Sequence, residues 1–275
     1  MSLRLADTTA RPILRTLEAL GNRLGATMKK LSTGLRIPTA ADDAAGLAIS
    51  ERLRSRIRST DQARRNANDG VSMVQVADGA LGEVANLLVR MREIAVQARN
   101  GTINSADHGT LNREYTALQE EITRITESTQ WNGMQLLNGS LRSIDLQVGI
   151  GTTANVDTLR FAIAGLAGTL NVRTTNLRNK TTAATAMNRL TTAIDRLSSM
   201  RGSLGAVQSR LASTIANLSN QFEHATAAES RIRDVDVAGA TADLARQRIL
   251  QQGAMGLLAQ ANAQPAVVLQ LLQGS

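Results

Sequence analysis

The side chains that could do chemistry are few and widely spaced. His108 and His224 are far apart, and neither lies in a His-Glu-x-x-His pair, so zinc-hydrolase chemistry lacks its ligands. Both histidines read as exposed. There is no cysteine, which removes thiolate metal sites, disulfides and cysteine nucleophiles together. Glu120 and Glu121 are adjacent on a helical pattern with no second carboxylate cluster to divide acid from base, and they read as surface. Asp78-Gly79 and Gly202-x-x-Gly205 stand alone, outside the strand–loop–helix context of a phosphate loop. The residues therefore predict no catalytic centre, no cofactor and no metal.

Charge is the second chemical feature. The net charge is +8, and of 31 Lys and Arg only Lys29, Lys30 and Lys180 are lysines, so the cations are mostly the bidentate, interface-favouring guanidinium. Arg52, Arg54, Arg56, Arg58, Arg64 and Arg65 crowd into Glu51–Arg65. Such a run could follow a phosphate backbone. No aromatic residue is interleaved to stack on bases, and Asp42, Asp43, Glu51 and Asp61 lie close in sequence. The run reads as a solvated helix face or a set of ion pairs, and no nucleic acid is expected as partner.

The elements around these residues are helical. The chain is 43% hydrophobic yet has one Trp, one Tyr and two Phe, which suits narrow Leu/Ile/Val/Ala seams better than a bulky core. No proline interrupts the chain between Pro38 and Pro265, so long helices are permitted. Ile13, Leu17, Leu20, Leu24, Met28 and Leu31 make one stripe, closed by Gly34 as a C-cap. The loop from Ile37 leads into a second helix, with Asp42 or Asp43 at its positive end. Val84, Leu88, Met91, Ala95 and Ala98 form a seam on it. Leu111, Tyr115, Leu118, Ile122 and Ile125 form another after the Asn100-Gly101 break.

After Ser128 the period changes. Asn132-Gly133 and Asn138-Gly139 are turn signals, and Ile144, Leu146 and Val148 alternate, as do Leu159, Phe161 and Ile163, which predicts a small hairpin. A short connection covers 164–176. Helix resumes with Leu190, Ile194, Leu197, Leu204, Val207, Leu211, Ile215, Leu218 and Phe222 on one face, with a stutter after Leu211. A break at 230–236 precedes a last amphipathic helix over about 241–263, then Pro265 and an apolar tail. No stretch approaches the roughly 18 apolar residues of a membrane span, and the charged opening does not suit a secretory signal. The fold class expected is mainly α: long helices in a coiled-coil-like bundle with a small β-hairpin, the amphipathic terminal stripes needing a partner to be stable.

Several segments carry a family resemblance. LSTGLRIPTAADDAAGLAISERLRS at Leu31–Ser55, QARRNANDGVSMVQVADGALGEVANLLVRMREIAVQ at Gln62–Gln97, WNGMQLLNG at Trp131–Gly139 and AQANAQPAVVLQLL at Ala259–Leu272 resemble, in order, the conserved segments of bacterial flagellins. Two features depart from that pattern: an opening without the usual Asn/Ser richness and carrying Pro12, and a more basic charge.

The resemblance implies a secreted, extracellular filament subunit used for motility, with no outer inserted domains. Residues 1–43 and 231–275 would pair as an inner coiled-coil core. Residues 44–180, with the hairpin, and 181–230 would form the outer layer. The assembly seam would be Leu17, Leu20, Leu24 and Leu31 at one end and Leu244, Leu257, Leu258, Leu269 and Leu272 at the other. Expected partners are further copies of the chain, an export chaperone, hook–filament junction proteins and the filament cap. The resemblance also implies a vertebrate Toll-like receptor surface at Arg90, Ile94 and Glu114, with Arg90 and Ile94 one helical turn apart. A hook–filament junction protein, a basic helical nucleic-acid-binding protein and a coiled-coil scaffold are the alternative readings.

Overall fold

The structure, a computed structural model, describes residues 2–140 and 143–273, with side chains described at 11–140, 143–166 and 168–263. Among the described residues, six helices and two small antiparallel sheets follow one another: α1 Ser2–Thr33, α2 Ala44–Ala98, α3 Ser105–Ser128, β1 Gln130–Trp131, β2 Met134–Gln135, β3 Ile144–Gln147, β4 Thr158–Phe161, α4 Leu166–Leu170, α5 Lys180–Arg233 and α6 Val237–Gln273. The chain divides into two compact units. Unit 1 comprises 1–57 and 224–275, and unit 2 comprises 58–223.

Unit 2 holds nearly all of the hydrophobic core. On α2, Ala67, Gly70, Val74, Ala77, Leu81, Val84, Leu88, Met91, Ala95 and Ala98 are buried in strict alternation of three and four, a heptad seam. On α5, Ala183, Ala186, Leu190, Ala193 and Leu197 follow the same rule, and Leu204, Leu211 and Leu218 continue it at sevens. The buried face therefore passes Leu211 without the expected stutter, because Thr214 and Ile215 share the next layer, both half-buried. Contacts from Arg64 to Phe222 and from Asp78 to Arg201 run in opposite chain directions, so the two helices pack antiparallel in this unit. Small residues on α2 let other chain approach: the Gly70 backbone lies against the Leu146 and Leu211 side chains.

α3 buries His108, Leu111, Tyr115, Gln119, Ile122 and Thr126. The polar members hold the loop before α5. His108 Nδ1 lies 2.9 Å from the Leu177 carbonyl, so the ring donates from Nδ1. Tyr115 Oη and Thr175 Oγ1 are 2.6 Å apart, and Gln119 Nε2 donates to the Val172 and Thr175 carbonyls at 2.6 and 3.0 Å. His108 is thus buried, not exposed as its isolation in sequence suggested; its imidazole satisfies a loop carbonyl that α3 would otherwise leave unpaired.

The hairpin expected from alternation forms as β3–β4, and a second, unexpected one, β1–β2, forms at the Asn132-Gly133 turn signal. Asn132 at φ 48° and Gly133 at φ 78° make the two-residue turn between β1 and β2. β3 and β4 pair Ile144 with Phe161 and Leu146 with Leu159. Their connection is shaped by Asp157, whose carboxylate accepts from the Gly151 and Thr153 amides at 3.1 and 3.0 Å. A Cβ at Gly149 would lie 2.7 Å from the Asp157 Cα, which only glycine tolerates.

Two helices are longer than the apolar pattern indicated. α1 begins at Ser2 and includes Pro12, and α6 runs to Gln273 through position 265. A proline removes one hydrogen bond and crowds one carbonyl, which bends a helix but does not end it when the following turns continue.

Candidate assembly interface

In unit 1, α1 packs along α6. The chain between them is clasped. Leu35 and Asp234 form an antiparallel bridge, Arg36 N donates to the Arg233 carbonyl at 2.6 Å, and Val235 N donates to the Gly34 carbonyl at 3.0 Å. The Arg36 guanidinium adds Nη2 and Nε bonds to the Ile232 carbonyl at 2.7 and 3.1 Å. Arg233 reaches Glu51 Oε1 at 2.8 Å, and its side chain is only 13% exposed. Gly34 makes this turn possible with φ 70°, a backbone region that costs a side chain about 1 kcal/mol or more. Asp43 Oδ1 accepts from Gly46 N at 2.9 Å, and Asp236 Oδ1 accepts from Ala238 N at 3.0 Å, so each carboxylate caps the start of its helix. Asp42 instead takes the Thr39 hydroxyl at 2.6 Å; that bond, with the charges of Lys30 and Lys29, keeps its carboxyl below the usual range.

The clasp sets the register of the two helices. On α1 the covered stripe is 13, 17, 20, 24, 27 and 31, flanked by half-buried Gly21 and Lys30, and on α6 it is 240, 244, 247, 251, 254, 258 and 261. Both advance by alternating threes and fours. Running antiparallel from the Leu35–Asp234 bridge, α1 and α6 carry these two covered stripes along their contact. The positions expected as seam, Leu17, Leu20, Leu24, Leu31, Leu244 and Leu258, are all covered, on two helices that pack together within the chain. Met28, assigned to the stripe from its apolarity, is 41% exposed, and Thr27 takes the layer because it holds the heptad phase. Leu257 lies off the seam and is 64% exposed. Leu269 and Leu272 fall outside the described side chains.

The seam is thin. Among the described residues, unit 1 buries only two hydrophobic side chains, Leu20 and Ile37. It exposes eight large ones: Leu14, Met28 and Ile49 on the N-terminal side, Val237, Ile249, Leu250, Met255 and Leu257 on α6. Gly253, beside Leu250 and Leu257, has nothing within 4 Å of where a Cβ would stand. Among the described residues the two buried polar side-chain atoms without a partner, Arg233 Nε and Gln247 Oε1, also lie in this unit. Gln247 and Gln251 are the seam residues that an apolar-only count misses; the signal for them is the spacing between Leu244 and Leu258.

Arg90 and Glu114 are brought together at the surface of unit 2. Arg90 Nη2 lies 2.7 Å from Glu114 Oε1 and Nη1 lies 3.1 Å from Glu93, and the hydrogen bond to Glu114, then that to Glu93, holds the guanidinium charged beyond its ordinary range. Ile94 is buried beneath α2's surface at 1% exposure. Arg52, Arg54, Arg56 and Arg58 are exposed; Arg54 faces Glu51 at 3.9 Å, and Arg64 and Arg65 bond to Asp61. Among the described residues no group of three His, Cys, Asp or Glu could hold a metal ion, and no helix is long and apolar enough to cross a membrane.

Comparison with known proteins agrees with this architecture. The family model for the bacterial flagellin N-terminal helical region matches residues 8–142, and that for the C-terminal helical region matches residues 187–272. A flagellin of Halalkalibacterium halodurans is 46% identical, the match spanning 90% of each chain. One of Bacillus subtilis is 40% identical over 94% of this chain and 97% of the relative. The crystal structure of Bacillus cereus flagellin superposes with a TM-score of 0.51 at 33% identity, covering 56% of this chain and 88% of that one. A flagellar hook-associated protein of Vibrio parahaemolyticus shares the fold, with a TM-score of 0.61 at 12% identity over 70% of this chain and all of that one. With both terminal helical regions matched and close relatives along nearly its whole length, the chain belongs to the bacterial flagellin family.

Proposed function

We infer that this chain is the structural subunit that polymerises into the flagellar filament, and that unit 1 is the element through which copies join. The observation that carries the second part is the imbalance among the described residues of unit 1: two buried hydrophobic side chains against eight large exposed ones. Fully burying such a side chain is worth roughly 1.5–3 kcal/mol, so covering α6's outer face with other copies is a large driving force for assembly. Residues 1–43 and 231–275 then form the inner layer, with 44–180 and 181–230 outside it. The subunit works outside the cell, and its function resides in packing geometry without a catalytic step.

An export chaperone fits the same uncovered face of α6 before assembly, since it must hide the surface that later polymerises. Hook–filament junction proteins and the filament cap meet the ends of the stack. Arg90 and Glu114, exposed and paired, are the groups presented to a Toll-like receptor, with Ile94 supporting them from below.

Seeded growth tests the assembly reading. Purified subunit given short filament seeds should extend long tubes of uniform width under negative-stain electron microscopy. Replacing both Leu20 and Leu24 with Asp should abolish growth while far-ultraviolet circular dichroism still reports a folded unit 2. Normal filaments from the double variant would refute the role given to this seam.

A further inference from the structure

We propose that Asn100 is a site of spontaneous, self-promoted deamidation, and that Lys180 assists it. Three Asn-Gly pairs occur, at Asn100, Asn132 and Asn138, and each has the unhindered successor that lets a backbone nitrogen attack the asparagine side chain. The fold separates them. The Asn138 side chain is tied at both ends: Oδ1 accepts from Ser140 N at 2.9 Å and from Ser140 Oγ at 2.7 Å, and the amide nitrogen bonds to Gln135. Its successor Gly139 is pressed against Gly165, 3.2 Å from where a Cβ would stand. Asn132 sits in the two-residue turn whose flanks, Trp131 and Met134, are paired across β1 and β2, so its left-handed backbone is held.

Asn100 lacks the side-chain ties of Asn138 and the strand pairing around Asn132, and is held through its backbone, whose N–H donates to the Gln97 carbonyl at 3.0 Å. It is exposed just past the end of α2, and among the described residues its side chain makes no hydrogen bond. Its backbone carbonyl accepts from Ile103 N at a long 3.4 Å. The Lys180 ammonium stands over the next residue, its Nζ 3.3 Å from the position of a Gly101 Cβ. Lys180 is also the first residue of α5, where the helix end adds positive potential. A cation there favours the anions of the reaction, first the deprotonated peptide nitrogen and then the tetrahedral oxyanion.

The chemistry needs only water. Gly101 N loses its proton to solvent base and bonds to Cγ of Asn100. The Cγ–Nδ2 bond breaks and Nδ2 leaves as ammonia after taking a proton, closing a five-membered succinimide. Water then opens either carbonyl, giving an aspartyl or an isoaspartyl residue at position 100. No electron is transferred. The product carboxylate gains Lys180 as an ion-pair partner, so each event lowers the subunit's positive charge by one.

The test is to age the native protein in mildly alkaline buffer and follow the three Asn-Gly peptides by mass spectrometry. The Asn100 peptide should convert first, splitting into two chromatographic isomers with the mass of an amide-to-acid exchange, and the Asn138 peptide last. Lys180→Gln should slow conversion at Asn100 and leave Asn132 unchanged, which serves as the internal check that the variant is folded. In denaturant the three should convert at similar rates. Equal rates in the native protein, or an unaltered Asn100 rate in Lys180→Gln, would overturn the proposal.

Discussion

Gln247 carries an amide oxygen into the α1–α6 seam and finds no donor there. A buried acceptor left unpaired costs about 1–3 kcal/mol, whereas an apolar side chain of similar shape removes that cost. Gln247→Leu should therefore stabilise the terminal helix pair by roughly 1 kcal/mol, measured as slower amide hydrogen exchange along α1 and α6. Faster exchange would mean that the glutamine contributes net stability. Asp78 and Arg201 show the opposite case, a satisfied surface pair linking α2 to α5 at 2.8 Å. The hydrogen bond from Arg201 holds the Asp78 carboxyl below its ordinary value. Because the folded value is depressed, the pair's contribution is complete above the unfolded carboxylate value near 3.8 and is lost as pH falls through the lowered one. With both side chains at least 40% exposed, solvent screening limits it to about 0.5 kcal/mol. Urea melts of the protein and of Asp78→Asn should differ by that amount at neutral pH and converge in acid.

Neighbouring residues on one helix can serve different partners. Leu258 belongs to the seam with α1, while Leu257 is exposed on the outer face of α6. Leu257→Asp should leave hydrogen exchange in the terminal pair unchanged and reduce seeded growth. Leu258→Asp should raise exchange as well. If Leu257→Asp filaments grow normally, α6's outer face is not an assembly contact. The long helices and the β3–β4 hairpin were legible from spacing and turn residues, because each depends on neighbours within a few positions; the short α4, inside the stretch expected as a connection, and the β1–β2 pairing were not. The roles of His108, Tyr115 and Gln119 were not. Their partners Leu177, Thr175 and Val172 lie more than fifty positions away in the loop before α5, and no local pattern marks a carbonyl that needs a donor.

The two units differ in how complete they are alone. Unit 2 has its own core, including Leu81, Leu88, Leu190, Leu197 and Leu211 at 1% exposure or less. A chain cut to residues 58–223 should fold cooperatively by circular dichroism, remain monomeric by sedimentation, and fail to extend filament seeds. Polymerisation of that fragment would move the assembly element into unit 2. Unit 1 buries Leu20 and Ile37 alone among its described hydrophobic residues, so its order depends on what covers it. The proposed division of labour, a unit 2 stable by itself and a unit 1 that finishes its core by association, is what this experiment tests.

Sequence alone determined the helical class, the heptad stripes, the β3–β4 hairpin and the family, because these follow from spacing along the chain and from segments that match in order. Spacing also marked Leu17, Leu20, Leu24, Leu31, Leu244 and Leu258 as positions that are covered in the structure, and Leu257 as one that is not. Tertiary structure decided which stripes meet. Periodicity is blind to partners: the bridge between Leu35 and Asp234 starts α1 and α6 side by side, with Leu24 and Gln247 covered and Leu257 and Met28 in solvent. The reason is that a helix face is a local property, while its partner is chosen by the clasp that fixes where two distant helices begin to run together.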